Sequence, residues 1–145
     1  MEIYTIGFTQ TSAERFFERL RNAGVRRLID VRLNNVSQLA GFAKRDDLAF
    51  FLRELCGADY RHEPLLAPTQ EMLDNLKKRG GSWADYERVF LGLMRERRVE
   101  LTVNRKLLKV RSVFLCSEAR PDQCHRRLAA EYLASHWGIE RVVHL

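Results

Sequence analysis

The chain has 145 residues, 46% of them hydrophobic and 30% charged. That is the composition of a globular protein of one domain, residues 1–145, and it excludes disordered and fibrous classes. The net charge of +6 and the pI near 9.6 make phosphate-bearing partners, a small molecule or a nucleic acid, the natural expectation for a ligand.

Ile3-Tyr4-Thr5-Ile6 is a β-branched and aromatic run ended by Gly7, and it predicts a first strand buried on both faces. Thr11-Ser12-Ala13-Glu14 matches a capping box. Ala13, Phe16, Phe17 and Leu20 follow at helical spacing, with Gly24 as the stop. Arg27 to Val31 reads as a second strand. A strand, a helix and a strand in so short a stretch imply a right-handed parallel crossover. The long loop Leu33 to Lys44 carries Asn34, Asn35, Ser37 and Gln38, all suited to hydrogen-bonding a ligand, and Phe42, suited to stacking. Its blander reading is a surface loop pinned by Leu39 and Phe42.

Asp46 or Asp47 caps the next predicted helix, whose apolar face is Leu48, Phe51, Leu52, Leu55 and Cys56, ended by Gly57. Asp59 to His62 is a short third strand. Pro64 and Pro68 bracket a turn. A helix from Thr69 to Arg79 is broken by Gly80-Gly81, and Ser82 starts another with Trp83, Tyr86, Phe90, Leu93 and Met94 on its apolar face. Val99 to Lys109 fits either a short helix or an edge segment. Ser112 to Cys116 is the clearest central strand. Pro121 suits the first position of a helix whose apolar face is Leu128, Ala129, Tyr132, Leu133, His136 and Trp137. Gly138 stops that helix, and Arg141 to Leu145 closes as a last strand.

This alternation predicts a three-layer α/β fold, with a mostly parallel sheet of about five strands and helices on both faces. It is Rossmann-like but lacks the dinucleotide fingerprint: Gly7-Phe8-Thr9-Gln10-Thr11-Ser12 is no GxGxxG, and no Walker loop occurs, so no cofactor is expected. No apolar stretch is long enough to span a membrane, and Met1 to Thr5 does not resemble a signal peptide. The expected compartment is the cytoplasm. Three cysteines, Cys56, Cys116 and Cys124, argue against a structural disulfide framework.

Sheets of this kind bind ligands at the carboxyl ends of their strands. That rule selects Gly7, Asp30, Arg32, Cys116 and Glu118, with Cys124, His125 and Arg126 in the first turn of the last helix. Asp30 and Glu118 are candidate acid–base groups, and Cys124 is a candidate nucleophile activated by the helix N-terminus. Gly7, Arg32, Ser37, Cys116, His125 and Arg126 are candidate substrate contacts. The alternatives are structural: an ion pair of Asp30 with Arg32 or Arg126 that fixes the strand-end loops, and a Cys124 packed inward. Cys116, Cys124 and His125 have no standard zinc spacing, so no metal is expected; a redox or metal site there needs the two sulfurs adjacent, and a disulfide needs Cα atoms within about 7 Å.

Tyr4-Thr5-Ile6-Gly7, Leu28-Ile29-Asp30-Val31-Arg32, Leu115-Cys116-Ser117-Glu118 and Cys124-His125-Arg126, in this order, resemble the bacterial and archaeal family called domain of unknown function 488. The stretch Arg32 to Lys44 with Leu65 to Thr69 looks like one branch of it. The resemblance implies an α/β fold and marks the strand-end residues just named, but it brings no reaction. The residues themselves point first to an enzyme acting on a phosphate-bearing substrate. A nucleic-acid-binding module without catalysis and a thiol redox or metal site are the alternatives.

Overall fold

The computed structural model describes residues 1–36, 41–118 and 120–145. Its elements run β1 (Glu2–Gly7), α1 (Ala13–Asn22), β2 (Arg27–Asp30), α2 (Arg45–Phe51), β3 (Asp59–His62), α3 (Gln70–Lys77), α4 (Trp83–Arg97), α5 (Val99–Thr102), β4 (Ser112–Cys116), α6 (His125–Trp137) and β5 (Arg141–His144). The five strands form one parallel sheet in the order β3-β2-β4-β1-β5. The expected α/β architecture is the one found.

Side chains alternate across this sheet, and two apolar layers follow. On one face Tyr4, Ile6, Leu28, Val113 and Leu115 pack against Phe16, Phe17 and Leu20 of α1 and Leu48 of α2. On the other, Ile3, Ile29 and Phe114 pack against Phe90 and Met94 of α4 and Leu128, Ala129 and Leu133 of α6. The chain leaves β1 towards β2 and leaves β4 towards β5, in opposite directions along the sheet. Right-handed crossovers therefore send α1 and α6 to opposite faces. The crevice between the carboxyl ends of β1 and β4 is the point where strand order reverses, which is where open α/β sheets hold ligands.

Several boundaries differ from the sequence reading. Ser12, not Thr11, caps α1, its side chain accepting from the Arg15 amide. Lys44 precedes α2, and Asp46 and Asp47 fall in its first turn, where they favour the helix dipole. The helix continues as a wider turn over Leu52–Cys56, which rotates Leu55 out to solvent and leaves Leu48 and Leu52 inside. For Val99 to Lys109, where a short helix and an edge segment both fit the sequence, the structure has the helix: α5 and a short helical turn at Arg105–Lys109. Pro121 lies outside the last helix: residues 120–123 turn, the Cys124 amide bonds the Pro121 carbonyl, and Cys124 is the N-cap of α6.

Gly7 closes β1 where the chain after β4 crosses it. A Cβ there would lie 1.6 Å from the Glu118 carbonyl oxygen and 2.7 Å from Nη1 of Arg126. The backbone contact is too close for any side chain. Gly7→Ala is therefore expected to destabilise the fold by about 2 kcal/mol or more. Thermal denaturation checks this, and an unchanged midpoint would show that the close crossing is not a constraint.

Candidate functional site

Three strand ends and the start of α6 build the site. At the end of β2, Asp30 is fully buried and meets four donors. Its Oδ1 accepts from the Arg32 amide at 3.1 Å and from Arg32 Nε at 2.9 Å. Its Oδ2 accepts from Arg32 Nη2 at 2.8 Å and from the Tyr60 hydroxyl at 2.5 Å. Asn35 Nδ2 donates to that hydroxyl at 3.1 Å, and Arg32 Nη2 also donates to the Ala43 carbonyl at 2.7 Å. Burial, with the carboxylate beside it, raises the pKa of Tyr60. A buried carboxylate needs partners of this kind. The Asp30 and Arg32 side chains thus form an internal network that shapes the loop after β2, with Arg32 lying 5.2 Å from the Phe8 ring centre.

At the ends of β1 and β4, Arg126 is fully buried beneath the two strands. Its Nε donates to Thr5 Oγ1 at 3.3 Å, and its Nη1 donates to Cys116 Sγ at 3.6 Å and to the Glu118 carbonyl. Burial draws its pKa down to about 10, so it remains a cation at neutral pH. Thr9 joins the same two loops, its amide and hydroxyl both donating to the Ser117 carbonyl, at 3.1 and 2.8 Å. Gln10, next in the chain, has a left-handed backbone with φ of 57°. A residue other than glycine in that region marks a constrained loop.

The first two residues of the α6 start complete the site. Cys116 and Cys124 are joined sulfur to sulfur, across a Cα separation of 7.4 Å. Three cysteines argue against a disulfide framework, yet this pair meets because the turn at residues 120–123 folds the N-cap of α6 back over the end of β4, although the Cα atoms stand beyond the usual disulfide range. His125 Nε2 donates to the Val31 carbonyl at 2.7 Å. Burial, with the Arg126 charge adding to it, pushes the imidazole pKa down to about 4, against the pull of that carbonyl bond. The ring is uncharged at neutral pH, and its lone pair is therefore on Nδ1.

These groups open on a pocket of about 280 Å³. Cys116, Ser117, Cys124 and His125 line it. Thr9, Arg32, Asn34, Glu118 and Gln123 line it as well, and α3 and α4 contribute Leu73, Leu76, Lys77, Trp83 and Tyr86. The Trp83 and Tyr86 rings stack with centres 4.9 Å apart. Lys77 Nζ lies 4.0 Å from Glu118 Oε1, and both side chains are more than half exposed.

Of the residues marked from the sequence, Arg32, Cys116, Glu118, Cys124 and His125 line this pocket. Asp30 and Arg126 lie in the buried layer that supports it, and Gly7 is the crossing point beneath the Glu118 carbonyl. Ser37 lies outside the described residues. Phe42 packs on Phe16 and Phe17, ring centres 5.3 and 5.9 Å away, which is the pinning role rather than a stacking platform. Several basic residues brace the fold: Arg97 donates to the Leu65 and Ala67 carbonyls, Arg105 to the Trp137 carbonyl and Arg111 to the Ala23 carbonyl. Sequence reasoning missed Tyr60 as the partner of Asp30 and missed the wall from α3 and α4. The helical periodicity of that wall was visible, but its docking position was not.

A family model described as Domain of unknown function DUF488 matches residues 12–133, a span that includes β2, β4 and the first two turns of α6. Neither the curated proteins nor the solved structures include a match.

The Asp30 network sets a stability test. Asp30→Asn leaves the buried Arg32 without its counter-charge and is expected to cost about 3–5 kcal/mol. Tyr60→Phe removes one donor and is expected to cost about 1–2 kcal/mol. Urea denaturation measures both; equal, negligible losses would mean that the network does not hold the loop.

Proposed function

Because the chain belongs to the DUF488 family, which carries no reaction with its name, its chemistry has to come from its own residues, and we propose that it is a thiol-dependent oxidoreductase exchanging the Cys116–Cys124 pair with a disulfide substrate. The observation that carries this reading is the meeting of the two sulfurs in the lining of an open pocket. Cys56, the remaining cysteine, ends the wider turn after α2 with its thiol directed at the Phe17 carbonyl, and burial raises its pKa.

In the reaction, the Cys124 thiolate attacks one sulfur of the substrate RSSR. The substrate S–S bond breaks, and RS⁻ leaves and takes up a proton. The Cys116 thiolate then attacks the Cys124 sulfur of the mixed disulfide. The second RS⁻ leaves as RSH, and the Cys116–Cys124 disulfide remains. The substrate gains two electrons and the cysteine pair loses two. Two equivalents of a small cellular thiol, R′SH, restore the pair and depart as R′SSR′.

Two features support this division of roles. Cys124 is the N-cap of a 13-residue helix, whose positive end favours an attacking thiolate. Arg126 donates to Cys116 Sγ, which favours Cys116 as the thiolate that leaves when the pair is reduced again. Asp30 and Glu118 then act by position: Asp30 through the β2 loop, and Glu118 through the backbone carbonyl that Arg126 holds. Lys77 lines the pocket with an exposed ammonium, so a substrate bearing a carboxylate or phosphate finds a cation there.

The test is turnover of bis(2-hydroxyethyl) disulfide with glutathione as reductant. The protein is expected to exceed the uncatalysed rate. Cys124→Ser should lose at least 100-fold of that excess, and Cys56→Ser should lose none. Cys116→Ser should accumulate a mixed disulfide on Cys124, visible by mass spectrometry. A Cys124→Ser variant as active as the parent would remove the proposal.

A further inference from the structure

We infer that Cys116, Cys124 and His125 in the reduced protein form a binding site for a thiophilic divalent ion of the zinc class, with one coordination position facing the pocket. The inference rests on the proposed function to the extent that both need reduced thiols at Cys116 and Cys124.

Four observations lead to it. First, the two sulfurs and a ring nitrogen of His125 lie within 4.8 Å of one another, and all three residues are buried. Tetrahedral bonds of about 2.0–2.3 Å place ligand atoms about 3.5–3.8 Å apart, so the cluster has the right scale once the sulfurs separate. Second, the Cα atoms of Cys116 and Cys124 stand 7.4 Å apart. Disulfides usually close across about 4.4–6.8 Å. The backbone is thus spaced widely enough for two thiolates to share an ion between them.

Third, His125 has the backbone partner that a metal-bound histidine typically has. Its Nε2–H is held by the Val31 carbonyl at 2.7 Å, which fixes the ring and leaves Nδ1 with its lone pair. That carbonyl sits between Asp30 and Arg32, whose buried ion pair stiffens the loop. Fourth, all three ligand residues line the same pocket, so a tetrahedral ion held by them keeps a fourth position for water or a substrate atom. Two sulfurs and one imidazole nitrogen select zinc and its thiophilic neighbours over magnesium or calcium, which take oxygen ligands. Oxidation of the pair to the disulfide removes two of the three ligands, so ion and disulfide exclude each other. The site would then hold its ion under reducing conditions and release it on oxidation.

The full-length protein, reduced with a phosphine and desalted without oxygen, is titrated with zinc chloride against a chromophoric chelator, and separately with cobalt chloride. One equivalent per chain is expected, with an intense thiolate-to-cobalt band in the near ultraviolet. The oxidised protein should bind at least 100-fold more weakly. His125→Ala and Cys124→Ser should each weaken zinc by at least tenfold, while Cys56→Ser should match the parent. No binding by the reduced parent, or a cobalt spectrum without the thiolate band, would overturn the inference, and the spectrum decides this even where a variant fails to fold. Disulfide exchange by the metal-free protein separates the two readings: exchange without zinc binding removes the ion site alone, and zinc binding without exchange removes the oxidoreductase alone.

Discussion

The site depends on one buried cation. Arg126 enters from the first turn of α6 and lies under the sheet with no exposed surface. A guanidinium in that position must be met by oxygen or sulfur acceptors, and two strands and the chain after one of them supply these: Thr5 from β1, Cys116 from β4, and the Glu118 carbonyl just beyond β4. Meeting that demand draws the chain after β4 down across β1. The crossing is so close that only glycine fits at position 7. The same pull seats α6 with its N-cap, Cys124, against the end of β4, where Cys116 is.

A second buried charge performs the matching task at β2. Asp30 collects Arg32 and Tyr60, and through them Asn35 and the Ala43 carbonyl, into one network. The Val31 carbonyl, fixed between the two paired residues, receives His125. His125 and Arg126 are neighbours in sequence, so one helix turn reads both strand-end loops at once. The geometry of the candidate site rests on two polar contacts to the backbone, not on a single motif, and the apolar layers on either face set the distance between them.

Much of this was legible in the sequence. The apolar strands, the Gly stops and the helix periodicities determine a parallel sheet, and the rule about strand ends then locates Gly7, Asp30, Arg32, Cys116 and Glu118. The partners were harder to read. Tyr60 sits in a four-residue edge strand whose alternation is too short to say which face it uses, yet parallel pairing with β2 brings its hydroxyl to Asp30. Lys77 and Trp83 belong to helices whose apolar stripes are plain, but periodicity does not tell where a helix docks. Pro121 misled, because a proline suits a turn as well as a first helical position. The turn it begins is what carries Cys124 back to Cys116, across a spacing in sequence that fits no standard metal or redox pattern.

The proposed account treats Cys116 and Cys124 as one reversible two-electron pair supported by Arg126. Equilibrating the protein in glutathione mixtures of graded composition, then alkylating it and mapping the bridge by mass spectrometry, tests that claim most directly. The account predicts a single reversible transition, involving one bridge between Cys116 and Cys124, with Cys56 alkylated throughout. Cysteines that stay reduced across the whole series, or that oxidise into a bridge involving Cys56, would contradict it.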